Sequence, residues 1–358
     1  MRLTYPFLFL VAVLLLAGCG PDGADDDGPV LPSFDRRGML TEWADEVVIP
    51  NLTDLESRLS TLVAAQDTFA SAANPANLTA LRDAFTQAYL SWQRLSPLVI
   101  GKAEEIRLRE QLNTYPANVV KIEENALATT PANLDLPSNT AAQGFPAVEY
   151  LLYGLEEGAL TTGPQHTAYQ AYLTQLANRM LALTTTALAD WNNGYRAVFI
   201  QNDGNSATAS IDRTVNDYIF YYEKFLRAGK VGIPAGIFSD DPLPDRAEGL
   251  YAGNSLPLFL EALASSRDFF ADRGLARYLD ALDVRRDGEL LSARIIRQFE
   301  VVRTTTAGLD SSFADQVTND NQRMLALYDE MQKLVVLLKV DMLQALSINV
   351  DYVDADGD

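Results

Sequence analysis

At 358 residues the chain has room for about two domains, and a hydrophobic content of 48% supplies a sizeable core. A formal net charge of -20 leaves no basic face for the phosphates of nucleic acid or for a polybasic membrane contact. The single cysteine and single histidine exclude multi-histidine metal sites and zinc–thiolate clusters, and any Ser-His-Asp arrangement would have to run through His166.

The N-terminus carries a targeting signal. Arg2 precedes an apolar run from Phe7 to Leu16, and the tetrad Leu16-Ala17-Gly18-Cys19 closes it. A charged start, an apolar stretch too short to span a bilayer comfortably and small residues before a cysteine are the pattern of a bacterial lipoprotein signal peptide. On this reading residues 1–18 are removed and Cys19 becomes the lipid-bearing terminus, which leaves no thiol for a disulfide or a nucleophile. The lipid holds the protein on outer-membrane lipid without a spanning helix. Gly20 rather than Asp after the cysteine favours the outer membrane, facing the periplasm or the cell surface. Residues 19–37, with the Gly/Pro/Asp-rich stretch from Gly20 to Pro32 and the run Asp25-Asp26-Asp27, read as a disordered acidic tether.

Beyond the tether the pattern is helical almost throughout. Leu52, Leu55, Leu59, Leu62, Gln66 and Phe69 recur at three- and four-residue steps, as do Leu78, Leu81, Phe85, Ala88, Trp92 and Leu95. Tyr169, Leu173, Leu176, Met180 and Leu183 form a third stripe, Val215, Tyr218, Tyr222 and Leu226 a fourth, and Leu327, Met331, Leu334, Leu338, Met342 and Leu346 a fifth. Each puts an apolar stripe on one helix face, the mark of a bundle core. Pro50 is expected to kink or break the first helix. Asn74-Pro75 starts the second and Ser96-Pro97 ends it. Asn202 to Ser206 is a break between two helical halves, placed at 38–203 and 204–358. Gly232 to Asn254 holds three prolines and reads as a long irregular connection, with Ser255 as the N-cap of the next helix.

The segment Gly144 to Gly154, GFPAVEYLLYG, resembles the signature of the imelysin-like family, in which Gly-x-His-x-x-Glu opens an aromatic and apolar helix. Leu108-Arg109 with Leu112-Asn113-Thr114-Tyr115-Pro116 resembles a family turn. Phe225 to Gly236 resembles its central loop, and Tyr251-Ala252-Gly253-Asn254-Ser255 its Ser-Gly-Asn-Ser block. The resemblance implies an all-α fold of two four-helix-bundle-like halves packed together. It also implies an envelope role, since the family is named for an insulin-cleaving metallopeptidase of the outer membrane and includes lipoproteins linked to iron uptake. Gly144, Pro146, Glu149, Arg109, Asn113 and Tyr115 are the binding candidates it points to.

The motif departs from the family at one position. Pro146 stands where the family has histidine, and proline offers no ligand atom. Glu149 alone is one oxygen donor, so a divalent metal, iron or zinc, is expected to bind weakly or not at all. Pro146 instead suits the first turn of a helix starting near Phe145. Glu149 is then expected in that first turn, paired with a cation such as Arg109. His166 reads as an exposed first-turn residue, and the terminal Asp351, Asp354, Asp356 and Asp358 as a solvated tail. Two functional readings stay open. One is a non-catalytic lipoprotein that binds a ligand or an envelope protein in a shallow polar cleft using Arg109, Tyr115 and Glu149. The other is a metallopeptidase with an altered site. No nucleic-acid partner is expected.

Overall fold

The structure is a computed structural model of the chain and describes residues 34–352. The expected signal peptide, Cys19 and most of the expected tether lie outside the described residues, as do Asp354, Asp356 and Asp358. Phe34–Asp358 forms a compact unit of its own, and the buried apolar cluster closes within it. No described helix is long and apolar enough to cross a membrane.

The ordered body begins inside the expected tether. Phe34 stacks on Tyr278 with ring centroids 4.5 Å apart, and Arg36 donates to Tyr278 Oη at 2.8 Å. Helix α1 (Arg36–Glu42) follows, with the Asp35 carboxylate accepting from Gly38 N at 2.8 Å. A π-helical turn, Trp43–Val48, joins it to α2 (Ile49–Ser71). Pro50 therefore does not break the helix, because it falls in the first turn of α2, where the widened turn before it absorbs the missing N–H. Helix α3 (Pro75–Leu95) is capped by the Asn74 side chain, which accepts from Asn77 N at 3.0 Å.

Short helices α4 (Lys102–Glu105), α5 (Leu108–Asn113) and α6 (Val119–Ala126) lead to α7 (Gly144–Glu149), which runs into a π-helical turn, Tyr150–Gly154. Helices α8 (His166–Asp190) and α9 (Arg196–Gln201), joined through Trp191–Tyr195, complete the first half. The break at Asn202–Ser206 precedes α10 (Ser210–Phe220), which continues as a long π-helical segment, Tyr221–Gly232, into α11 (Ile233–Ala235). The stretch expected as a central loop, Phe225 to Gly236, is thus mostly helical. Helices α12 (Ser255–Asp272), α13 (Leu275–Ala281), α14 (Leu291–Thr305) and α15 (Phe313–Val335) follow. A last π-helical turn, Val336–Met342, leads into α16 (Leu343–Leu346). Asn254, not Ser255, is the N-cap of α12. Among the described residues the only strands are a two-residue hairpin, Arg285–Arg286 against Glu289–Leu290.

Helices α2, α3, α7 and α8 pack together in the first half. In the second, α15 packs on the 221–232 segment and on α14, and α12 packs on α14. Helix α12 also lies along α3, which joins the halves. Arg94 marks that seam, reaching Asp54 of α2 and Glu261 of α12 at 2.7 Å each. The apolar stripes are the core: Leu52, Leu55, Leu59, Phe85, Trp92, Tyr218, Tyr222, Met331 and Leu338 are fully buried. Only Leu78 and Leu183 sit half-exposed at the stripe edges. Gln66 belongs to its stripe because its amide donates to Gln170 O and Thr174 Oγ1 across the α2–α8 contact.

Candidate functional site

Between α3, the end of α5, the 221–232 segment and the stretch before α12 lies a buried polar centre. Tyr89 and Gln93 sit one turn apart on α3, so both face the same way. Asn113 closes α5. Lys230, 3% exposed, comes from the π-helical segment, and Glu248, 2% exposed, from the irregular chain beyond α11. Lys230 Nζ donates to Glu248 and, at 2.9 Å, to Gln93 Oε1. Glu248 Oε1 accepts from Asn113 Nδ2 at 2.6 Å, Gln93 Nε2 at 3.0 Å and Tyr89 Oη at 3.1 Å. Five side chains from four segments thus satisfy one another.

Burial dominates the electrostatics. It pushes the Lys230 ammonium below the usual lysine range, against the pull of Glu248. Burial raises the Tyr89 and Tyr115 phenols well above theirs, reinforced by the Glu248 charge. The Tyr115 ring is half-buried, with its hydroxyl turned inward. A Cβ on Gly229 would come within 2.9 Å of that oxygen, so only glycine lets the phenol approach the 221–232 segment.

Glu149 borders this centre. It is the last residue of α7, a turn later than expected, and is 2% exposed. Its Oε1 accepts from the backbone N–H groups of Tyr251 and Ala252, each at 2.8 Å. Burial raises its carboxyl to about 7. The two N–H groups oppose this and the nearby Glu248 charge adds to it.

The expected Glu149–Arg109 pair is not formed. Arg109 binds Asp217 at 3.0 and 3.1 Å and Ser96 O at 2.9 Å, with its guanidinium over the rings of Tyr221 and Phe225. It lines a different feature, a polar cleft of about 210 Å³ between the 99–110 stretch and α10, with Glu104, Arg107, Arg213 and Asp217. The binding candidates therefore divide. Asn113, Tyr115 and Glu149 gather at the buried centre, whereas Arg109 faces the cleft. Gly144 and Pro146 build the turn that starts α7. Gly144 has φ +74°, and a Cβ there would lie 2.3 Å from the Leu112 carbonyl oxygen. Sequence reasoning missed Glu248, Lys230, Gln93 and Tyr89. Lys230 does lie in the family-like Phe225 to Gly236 block.

A divalent metal does not fit this donor set. Glu149 spends one oxygen on two backbone donors, Glu248 is taken up by Lys230 and three neutral donors, and Pro146 has no ligand atom. His166 sits half-buried at the start of α8 with Nδ1 2.8 Å from Gly163 O. Among the described residues no three His, Cys, Asp or Glu side chains group in a way that could hold an ion.

Known proteins place this architecture. The structure superposes on an imelysin-like protein from Psychrobacter arcticum 273-4 with a TM-score of 0.71 at 18% identity, covering 88% of this chain and 97% of that one. It superposes equally on an iron-regulated protein A precursor from Parabacteroides distasonis ATCC 8503, with a TM-score of 0.72 at 16% identity over 86% and 94% of the two chains. In sequence it is 25% identical over 158 residues to iron-regulated protein A of Synechococcus elongatus, a match over 44% of this chain and 42% of that protein. The match thus spans about two-fifths of that relative's length. The imelysin family model matches residues 48–339, which takes in the segments that build the buried centre and all of the cleft lining except Asp351 and Tyr352. With the all-helical fold and the matched span agreeing, the chain belongs to the imelysin family.

Proposed function

We propose that this protein is a non-catalytic binding lipoprotein of the cell envelope, anchored to outer-membrane lipid through Cys19 and serving iron acquisition. The observation that carries the proposal is the self-neutralised centre: Lys230, Glu248, Gln93, Asn113 and Tyr89 use their polar groups on one another. Hydrolysis of a peptide bond needs a cation or nucleophile to activate the attack and a base to take the proton. Glu149 is a carboxyl of suitable affinity for protons, but it has no motif histidine beside it. The centre is built to hold the two halves in register. Ligand or partner contact falls to the polar cleft beside Arg109, whose guanidinium is fixed by Asp217 and two aromatic rings. The iron link draws support from the names of the two iron-regulated relatives. Any divalent metal would bind weakly.

The test pairs chemistry with physiology. Unfolded casein is incubated with the protein with and without zinc, and a deletion strain is grown under iron limitation. No cleavage, together with a growth defect restored by the wild-type gene and not by Arg109→Ala, is expected. Cleavage that a chelator stops and that Glu149→Gln abolishes would establish the peptidase reading instead.

A further inference from the structure

A cavity of about 480 Å³ lies away from both features, between α12 and the C-terminal half of α14. That volume is in the range of small-molecule sites. Its floor is Leu263, 3% exposed, and Phe299, 1% exposed, with Leu260 and Ala264 on the α12 side. Phe299 is held from behind by ring contacts to Tyr222 and Phe270, at 6.0 and 6.4 Å between centroids, so the floor is rigid. The space is therefore formed in advance and does not depend on a ligand to open it.

The rim is charged in a particular way. Arg267 gives one terminal nitrogen to Asp268 and Asp272 at 2.8 and 2.9 Å, while its Nε, 3.6 Å from Glu300, has no hydrogen-bond partner. Arg303 is the more exposed of the two. Its Nε reaches Glu300 at 2.8 Å, its side chain is 61% exposed, and its two terminal nitrogens have no hydrogen-bond partner among the described residues. Every carboxylate at this rim already has a guanidinium. The charged groups left with open donors are both guanidinium groups, Arg303 and Arg267, in a chain whose net charge is -20.

An apolar slot whose open polar donors are guanidinium nitrogens, the most exposed of them on Arg303, selects a ligand with a hydrocarbon body and a single anionic head. We infer that this cavity binds a monocarboxylate amphiphile of medium chain length. The chain lies over Phe299 and Leu263, and the carboxylate takes the free nitrogens of Arg303. A cationic amphiphile of the same length meets no open carboxylate, and a neutral one leaves the guanidinium unused.

Decanoate, kept below its micellar range, is titrated into the Phe34–Asp358 unit by calorimetry, with decyltrimethylammonium as the charge-reversed control. Saturable one-to-one binding of decanoate is expected, with the cation at least tenfold weaker. Arg303→Gln should weaken decanoate about tenfold. Ala264→Trp, a substitution at an exposed wall position that fills the slot, should abolish binding while leaving the melting curve unchanged. Ala307→Trp enters the same space from the α14 end and serves if the first variant unfolds. Absence of saturable decanoate binding, equal affinity for the cation, or undiminished binding in a folded tryptophan variant would each overturn the inference.

Discussion

Glu149 offers the sharpest test of the electrostatic reasoning. Its carboxyl is raised from an ordinary value of 4.5 to about 7, chiefly by burial. A group with a raised folded-state value contributes stability that is fully present below the unfolded value. That stability is lost as pH rises through the folded one. The difference of about 2.5 units is worth about 3 kcal/mol at about 1.36 kcal/mol per unit, most of it lost between about pH 5 and pH 7. Glu149→Gln keeps an oxygen for the N–H groups of Tyr251 and Ala252 and removes the charge that burial penalises. Urea unfolding of wild type and variant from pH 4 to pH 8 should show the variant gaining on the wild type by about 3 kcal/mol as pH rises. The other titrating groups are common to both proteins and cancel in the comparison. A difference that stays constant to within 0.5 kcal/mol across the range, roughly the error of such measurements, would refute the assignment.

Other perturbations follow from the same geometry. Lys230→Met strands the buried Glu248 charge and should cost about 3–5 kcal/mol, whereas Lys230→Met with Glu248→Gln should recover more than half of it. A single variant within 1 kcal/mol of wild type in urea unfolding, well below that range, would show the pair to be unimportant. Gly144→Ala forces a side chain into a left-handed backbone and onto the Leu112 carbonyl, so a loss of at least about 2 kcal/mol is expected, read as a fall in melting temperature. Cys19→Ser should abolish labelling with a fatty-acid probe in cells; persistent labelling would contradict the lipoprotein reading. Pro146→His should raise calorimetric zinc affinity above the weak binding expected of the wild type, and no gain would mean that Glu149 is not placed to share a metal.

The apolar architecture was open to reading from the chain because helical periodicity is local. Leu52 to Phe69 and Leu327 to Leu346 announce their faces by spacing alone, and the buried residues are those very positions. The site was harder for the opposite reason. Arg109 and Asp217 are 108 residues apart, and nothing near either one names the other. The partners of Glu149 are backbone N–H groups, which leave no mark on residue identity. Glu248 sits in a stretch with no period to say which way it points, and it is buried only because Lys230, Gln93, Asn113 and Tyr89 arrive from elsewhere to meet it. Lysine is also among the residues least often buried, so Lys230 gave no reason to look inward. Pro50 misled because proline rules assume a regular α-helix, and the turn before it is not one.

That widened geometry reaches its greatest length in Tyr221–Gly232. Each residue of an α-helix advances about 100° around the axis. An i to i+5 segment advances less, so the chain leaves it out of phase with an unbroken α-helix of equal length. Here the slippage lets one helix present Leu226 to the core while Glu223, Arg227 and Lys230 are also turned inward. Its angular offset therefore acts as a stored insertion. Deleting one residue would let the segment tighten to α geometry and would swing Lys230 away from Glu248, while leaving the apolar stripe of α10 intact. The widened winding is what allows a helix of ordinary amphipathic sequence to serve two interiors at once, one greasy and one ionic.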